Sequence, residues 1–251
     1  MIGFFVFILG LIIGSFLNVL ILRLHAGKSI LGRSVCVSCQ KFICWHDNIP
    51  LLSFFMLGGR CRFCKGKISW QYPIIEAATG FIFLLIYLAA APADLFGYAL
   101  MIRNFIFASV LIIIFVYDLK WYLILDSVTV PAILFALAAN LFFRVGILEL
   151  IFGVLAGGGF FLAQFLASHG RWIGGGDLRL GALMGAMLGF KLVIAALFIA
   201  YIFGAAVGIL LIIFKKKKFS SQVPFGTFLA AATIISLIFG EEILNYYLQL
   251  P

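Results

Sequence analysis

The sequence predicts an all-α polytopic membrane protein of about eight transmembrane helices, with one long polar loop between the first two. Three observations carry that prediction. Of 251 residues, 65% are hydrophobic and only 11% charged, and the mean hydropathy is +1.23, a balance that soluble globular domains do not reach. The apolar residues form long unbroken runs, which suits helices of roughly 20 residues crossing a bilayer and not the short alternating segments of barrel strands. The 18 Lys and Arg are clustered, with eight in residues 23–72, four at 215–218, and three more at Lys120, Arg171 and Arg179. The positive-inside rule puts those stretches in the cytosol and the N-terminus outside. It also accounts for the net charge of +9, so no nucleic-acid partner is expected.

Taken in order, residues 2–22 form the first helix. It has no basic n-region and no small-residue cleavage site after it, so it reads as retained rather than as a signal peptide. Residues 23–72 are a polar loop holding all five cysteines. Helices are then expected over 73–91, 99–117, 123–143 and 147–167, with residues 118–121 at an interface and a loop SHGRWIGGGDLR after the fifth. The apolar stretch 178–214 is too long for one span. It splits near 189–191 into a short sixth and a full seventh helix, stopped by Lys215 to Lys218. The eighth covers 223–240, and the tail lies outside. Three parts result: the first transmembrane helix (1–22), the tetracysteine loop domain (23–72) and a membrane core (73–251). No internal repeat is visible. About 13 apolar residues separate Asp177 from Lys191, which places Asp177 slightly inside the membrane plane, since a full span needs roughly 20.

The loop carries Cys36-x-x-Cys39 and Cys61-x-x-Cys64. Two CxxC knuckles at this spacing can give a closed, tetrahedral four-thiolate site suited to structural Zn2+, a zinc-ribbon-like arrangement. Disulfide or redox chemistry is the competing reading, disfavoured on the reducing cytosolic side. Cys44 and His46 are left over as bystanders.

Two aspartates stand at the edges of apolar runs, Asp118 in FVYDLKW and Asp177 after Gly174-Gly175-Gly176. Carboxylates near a bilayer are expensive and mark function. Two held together share a proton, and one donates while the other polarises water, the chemistry of an aspartic protease. The bland alternative is interfacial capping or pairing, for example of Asp118 with Lys120 or Arg179. Asp126 either caps the next helix or shapes the site. Glu76 is either an interfacial charge reaching out of the membrane or a contact for a basic substrate or cofactor. A membrane assembly or transport protein and a thiol oxidoreductase remain open on these residues alone.

The ordered motifs narrow this. Gly14-Ser15-Phe16-Leu17-Asn18-Val19, Arg33-Ser34-Val35-Cys36, Asp47-Asn48-Ile49-Pro50, Gly59-Arg60-Cys61-Arg62, Tyr72-Pro73-Ile74-Ile75-Glu76, Asp118 with Asp126 and Pro131, and Gly174-Gly175-Gly176-Asp177 follow one another along nearly the whole chain. In that order they resemble the bacterial type IV prepilin peptidases, also called leader peptidase/N-methyltransferases, of the GxGD type. The resemblance implies cleavage of the basic leader of prepilins or pseudopilins after a Gly at the cytosolic face of the inner membrane, serving type IV pili or type II secretion. S-adenosylmethionine-dependent methylation of the new terminal amine would follow. It places the catalytic aspartates on Asp118 and Asp177, supported by Gly174, Gly176, Arg179 and Asp126. It puts the Zn2+ ligands on Cys36, Cys39, Cys61 and Cys64. Glu76, Asp47 and Asn48 are candidates for contact with substrate or cofactor.

Three positions depart from the family pattern. Arg179 stands for a usual Lys, keeping the charge but not its point-like geometry. Leu125 stands for a frequent Pro, and His46 for a common Tyr or Glu before DNIP, in the region linked with methylation. No catalytic carboxylate is lost.

Overall fold

The computed structural model describes residues 1–214 and 223–248. Lys215 to Lys218, the expected stop after the seventh helix, lie outside the described residues. The elements in order are α1 (Ile2–His25), a 3-10 turn (Trp45–Asn48), α2 (Leu52–Met56), α3 (Gln71–Ala90), α4 (Leu95–Trp121), α5 (Asp126–Phe142), α6 (Ile147–Ala167), α7 (Gly175–Ile213) and α8 (Phe225–Leu248). Among the described residues there is no strand, only two isolated bridges in the cysteine loop.

Among the described residues six helices are long and apolar enough to cross a membrane: α1, α3, α4, α6, α7 and α8. Two further segments bear on the expected eight. α5 has 17 residues, at the short limit for a span. Residues 175–213 are two helices that meet at Gly189 (φ 75°, ψ −177°), the place where the sequence divides them. α8 also continues past Gly240 to Leu248, through a tail expected to lie outside.

The fold comprises two compact units, residues 1–101 and 102–251. In the first, α1 packs on α3 through small residues. A Cβ on Gly10 would lie 2.7 Å from the Gly80 Cα, and one on Gly14 2.8 Å from the Glu76 Cα. In a membrane, close backbone approach replaces the hydrophobic effect as the source of helix affinity. Buried Asn18 adds polar links, donating to the carbonyls of Gly14 and Tyr72 at 3.2 Å each and accepting from Gln71 Nε2 at 3.2 Å.

In the second unit, α6 is the axis of α7. Gly181 meets Gly157, Gly185 meets Gly153, and Gly189 meets Glu149. Beyond Gly189 the direction reverses, so that Val193 lies beside Gly157 and Tyr201 beside Gln164. α7 is therefore two limbs doubled back on one face of α6, with Gly189 supplying the positive φ of the reversal at no Cβ cost.

Candidate active site and metal centre

Asp118 stands in the last turn of α4 and is 5% exposed. Its Oδ2 accepts two hydrogen bonds from Thr227 at the start of α8, from the backbone N–H at 2.7 Å and from Oγ1 at 3.0 Å. Gly226 makes this approach possible, since a Cβ there would lie 3.0 Å from Asp118 Oδ2 and 2.9 Å from Ile124 Cδ1. Ile124 is held from the other side by Gly176, whose Cβ would sit 3.0 Å from the Ile124 Cβ. One isoleucine thus spaces the starts of α7 and α8 around the end of α4.

Asp177 lies in the first turn of α7. Its Oδ2 accepts the Gly174 N–H at 3.3 Å, and its own N–H donates to the Gly174 carbonyl at 3.2 Å. The turn is helical from Gly175 on, so the carboxylate sits at the positive end of the helix dipole. Through Ile124, which touches Gly176 on one side and Gly226 on the other, Asp177 and Asp118 stand at adjoining helix ends. The Tyr201 hydroxyl shares hydrogen bonds with the Gln164 side chain at 3.1 and 3.3 Å. Asp126 forms an ion pair with Arg179. Arg179 therefore ties the start of α7 to the start of α5, and Thr227, not Arg179, is the side chain that engages Asp118.

The cysteine loop is built from one turn used twice. Cys36 N–H donates to Lys41 O and Gln40 N–H to Cys36 O; Cys61 N–H donates to Gly66 O and Lys65 N–H to Cys61 O. Gln40 and Lys65 both adopt positive φ, 57° and 58°. Ile43 N–H to Ser34 O and Ile68 N–H to Gly59 O close the two knuckles alike. The backbone repeat follows the sequence repeat, since Cys36, Cys39 and Ile43 recur 25 residues on as Cys61, Cys64 and Ile68. The two knuckles bring the sulfurs of Cys36, Cys39, Cys61 and Cys64 within 4.8 Å of one another, and Cys36 and Cys64 stand 3.9 Å apart. Four thiolates at Zn–S distances of about 2.3 Å would be about 3.8 Å apart in a tetrahedron, so the cluster fits Zn2+. The backbone amides of Cys64 and Phe63 draw the Cys61 thiol down to about 7, while burial and the neighbouring thiols push that of Cys64 up to about 11.

Cys44, His46 and Asp47 also come within 4.8 Å of one another. Asp47 is already engaged, however, by Arg62, whose Nη2 lies 2.6 Å and Nε 2.8 Å from its oxygens. That guanidinium holds the Asp47 carboxyl below the usual carboxylate range. Asn48 is exposed at the end of the 3-10 turn. Glu76 is 6% exposed and turned inward rather than to solvent. Its Oε2 accepts the Leu51 N–H at 2.8 Å, and Ser15 donates to it as well. Leu51 has φ 59°, a costly conformation for a branched residue, and the Glu76 bond pins it.

Thr227, Gly226, Tyr201 and Gln164 were not legible as site residues. The one available signal is the PFGT run opening the last apolar stretch, a turn followed by a hydroxyl.

Residues 8–90 match the family model of the bacterial peptidase A24 N-terminal domain, and residues 105–209 that of the type IV leader peptidase family. A prepilin leader peptidase/N-methyltransferase of Bacillus subtilis is 32% identical, covering 97% of this chain and 97% of its own. One from Burkholderia pseudomallei is 33% identical over 98% of this chain and 87% of its own. One from Aeromonas hydrophila is 31% identical over 97% and 92%. No solved structure matches.

Proposed function

Since the chain belongs to the type IV leader peptidase family, we propose that it is an aspartic endopeptidase of the inner membrane. It cleaves the basic leader of prepilins or pseudopilins after Gly at the cytosolic face and then methylates the new N-terminus. The observation that carries the peptidase reading is that Ile124 lies against both Gly176, next to Asp177, and Gly226, which abuts Asp118 Oδ2, so that two aspartates 59 residues apart in sequence stand at adjoining helix ends.

In this reading a water lies between the two carboxylates. One, unprotonated, takes a proton from the water as its oxygen attacks the scissile carbonyl. The other, protonated, donates to the carbonyl oxygen and then supports proton delivery to the leaving amine. The Oδ2 of Asp118 is occupied by Thr227 and the Oδ2 of Asp177 by Gly174, which leaves the Oδ1 atoms to face water and substrate. The helix that follows the cleavage site lies in the bilayer, so the reaction occurs where these helix ends meet the interface.

The four cysteines hold Zn2+ as a structural ion that fixes the loop, and no step of cleavage passes through it. S-adenosylmethionine supplies the methyl group when bound. Glu76, through Leu51, holds the DNIP segment against the membrane helices of the first unit. The Asp47–Arg62 pair braces that segment against the second knuckle.

The test uses purified protein with a prepilin-like peptide, products being followed by mass spectrometry with and without S-adenosylmethionine. Asp118→Asn and Asp177→Asn should each abolish cleavage after Gly, and a methyl mass should appear only with cofactor. Cleavage surviving both substitutions would sink the site assignment.

A further inference from the structure

We infer that Arg103 and Asn140 are positioning residues for Asp177, forming a buried polar cap on the far end of the short limb that carries it. The inference rests on the two-aspartate reading above. The limb, residues 175–188, is about 21 Å long at 1.5 Å per residue. Asp177 occupies one end. At the other end stand the carbonyls of Ala186 and Met187, which a helix terminus leaves short of donors. Asn140, 2% exposed in the last turn of α5, donates Nδ2 to both, at 2.6 and 3.2 Å.

Asn140 can do this only with its amide turned one way, and Arg103 sets that orientation by donating Nη1 to Asn140 Oδ1 at 2.8 Å. The Arg103 Nε and Nη2 go to Asn104 Oδ1 at 3.1 and 2.9 Å. The guanidinium lies over Phe107 and Phe143 at 5.5 and 5.4 Å from the ring centroids. Among the described residues no carboxylate forms an ion pair with it. An arginine inside a spanning helix is expensive and calls for a use. Here its charge faces the negative end of the limb's dipole.

The limb needs such a device because its lateral packing is smooth. Gly181 and Gly185 lie against Gly157 and Gly153, backbone on backbone. Small-residue faces bring helices close but offer few knobs to stop one sliding along the other. Axial position must then come from the ends. Arg179 binds Asp126 at the first residue of α5, and Asn140 binds Ala186 and Met187 from its last turn. α5 thus grips the limb at both ends, which fixes Asp177 relative to Asp118.

The test measures kcat, KM and melting temperature of the full-length protein with a prepilin-like peptide. Arg103→Met and Asn140→Leu should each lower kcat about 10- to 100-fold, the scale of a misplacement of about 1 Å, with KM within about twofold. Arg103→Lys, which still donates to Asn140, should recover most of the loss. Asn140→Asp keeps a partner for Arg103 but, ionised, offers the carbonyls no donor, so it should fail like Asn140→Leu. The double variant should be no worse than the worse single one, because both act through one contact. Full kcat in folded Asn140→Asp, or losses that multiply in the double variant, would overturn the inference. If Arg103→Met does not fold, Arg103→Lys against Asn140→Asp still decides. Activity retained in Asp177→Asn in the same assay would instead refute the two-aspartate reading on which this rests.

Discussion

Replacing Gly181 by alanine should misplace Asp177 without touching either carboxylate. Gly181 lies four residues, about one turn, after Asp177 on the limb that faces α6. A Cβ there would stand 2.5 Å from the Gly157 carbonyl oxygen and 2.9 Å from its carbon, both backbone atoms of a packed helix, and 2.5 Å from the Phe161 ring. The ring can turn aside; the backbone cannot. Ordinary contact begins at 3.4 Å, so the helices must part by about 0.9 Å, that is 3.4 minus 2.5 Å. Overpacking of this kind costs about 1–3 kcal/mol, offset in part by the gain of about 1 kcal/mol in helix propensity from Gly to Ala. The net loss of stability should therefore be small, about 0–2 kcal/mol. The effect on catalysis should be large, because about 1 Å at a reacting group is worth about 100-fold. The assay is steady-state cleavage of a prepilin-like peptide alongside thermal unfolding, with Gly159→Ala as control. Gly159 lies on α6 with no neighbour within 4 Å of a built Cβ, so that variant should keep full activity. A Gly181→Ala protein with wild-type kcat would refute the claim that this backbone contact positions the site.

Other outcomes follow from contacts already described. Thr227→Val removes the hydroxyl bond to Asp118 and should cost about 1–3 kcal/mol of local stability together with kcat, whereas Thr227→Ser should retain both; differential scanning and turnover check it. Purified protein should carry one Zn2+ per chain by elemental analysis, and Cys36→Ser or Cys64→Ser should lose it and expose residues 34–68 to limited proteolysis. The Asp47 carboxyl should titrate below its ordinary value of 3.8 in a carboxyl-carbon NMR titration, and return towards it in Arg62→Met. The sign is that of a depressed carboxylate: the pair stabilises the loop above 3.8 and loses that contribution as pH falls through the lower, folded-state value.

Much of this was legible because membrane helices announce themselves locally. Unbroken apolar runs mark α1, α3, α4, α6, α7 and α8, and the excess length of 178–214 over one span calls for a split, placed near 189–191 in the sequence and found at Gly189. The two CxxC pairs and the two aspartates stand out because thiols and carboxylates are rare in such a chain. What stayed hidden depends on distance in sequence. Thr227 meets Asp118 across 109 residues, and Arg179 meets Asp126 across 53. Neither pairing leaves a periodic trace. Glu76 reads as either an interfacial charge or a substrate or cofactor contact, and its partner, a strained leucine amide 25 residues earlier, is not visible in the sequence. The doubled knuckle is marked in sequence only by its CxxC pairs and Ile43 and Ile68; the positive φ shared by Gln40 and Lys65 leaves no trace, because different residues adopt it.

The shortness of α5 has a consequence for the surrounding lipid. Its 17 residues span about 26 Å, against a hydrocarbon layer of about 30 Å. Lipid against its exposed Val130, Leu134 and Phe142 would have to thin to meet its ends, at a cost that grows with each ångström of mismatch. Long-chain lipids should therefore strain this side of the protein and short-chain lipids relax it, so acyl-chain length becomes a variable that tunes where the interface falls relative to the two aspartates.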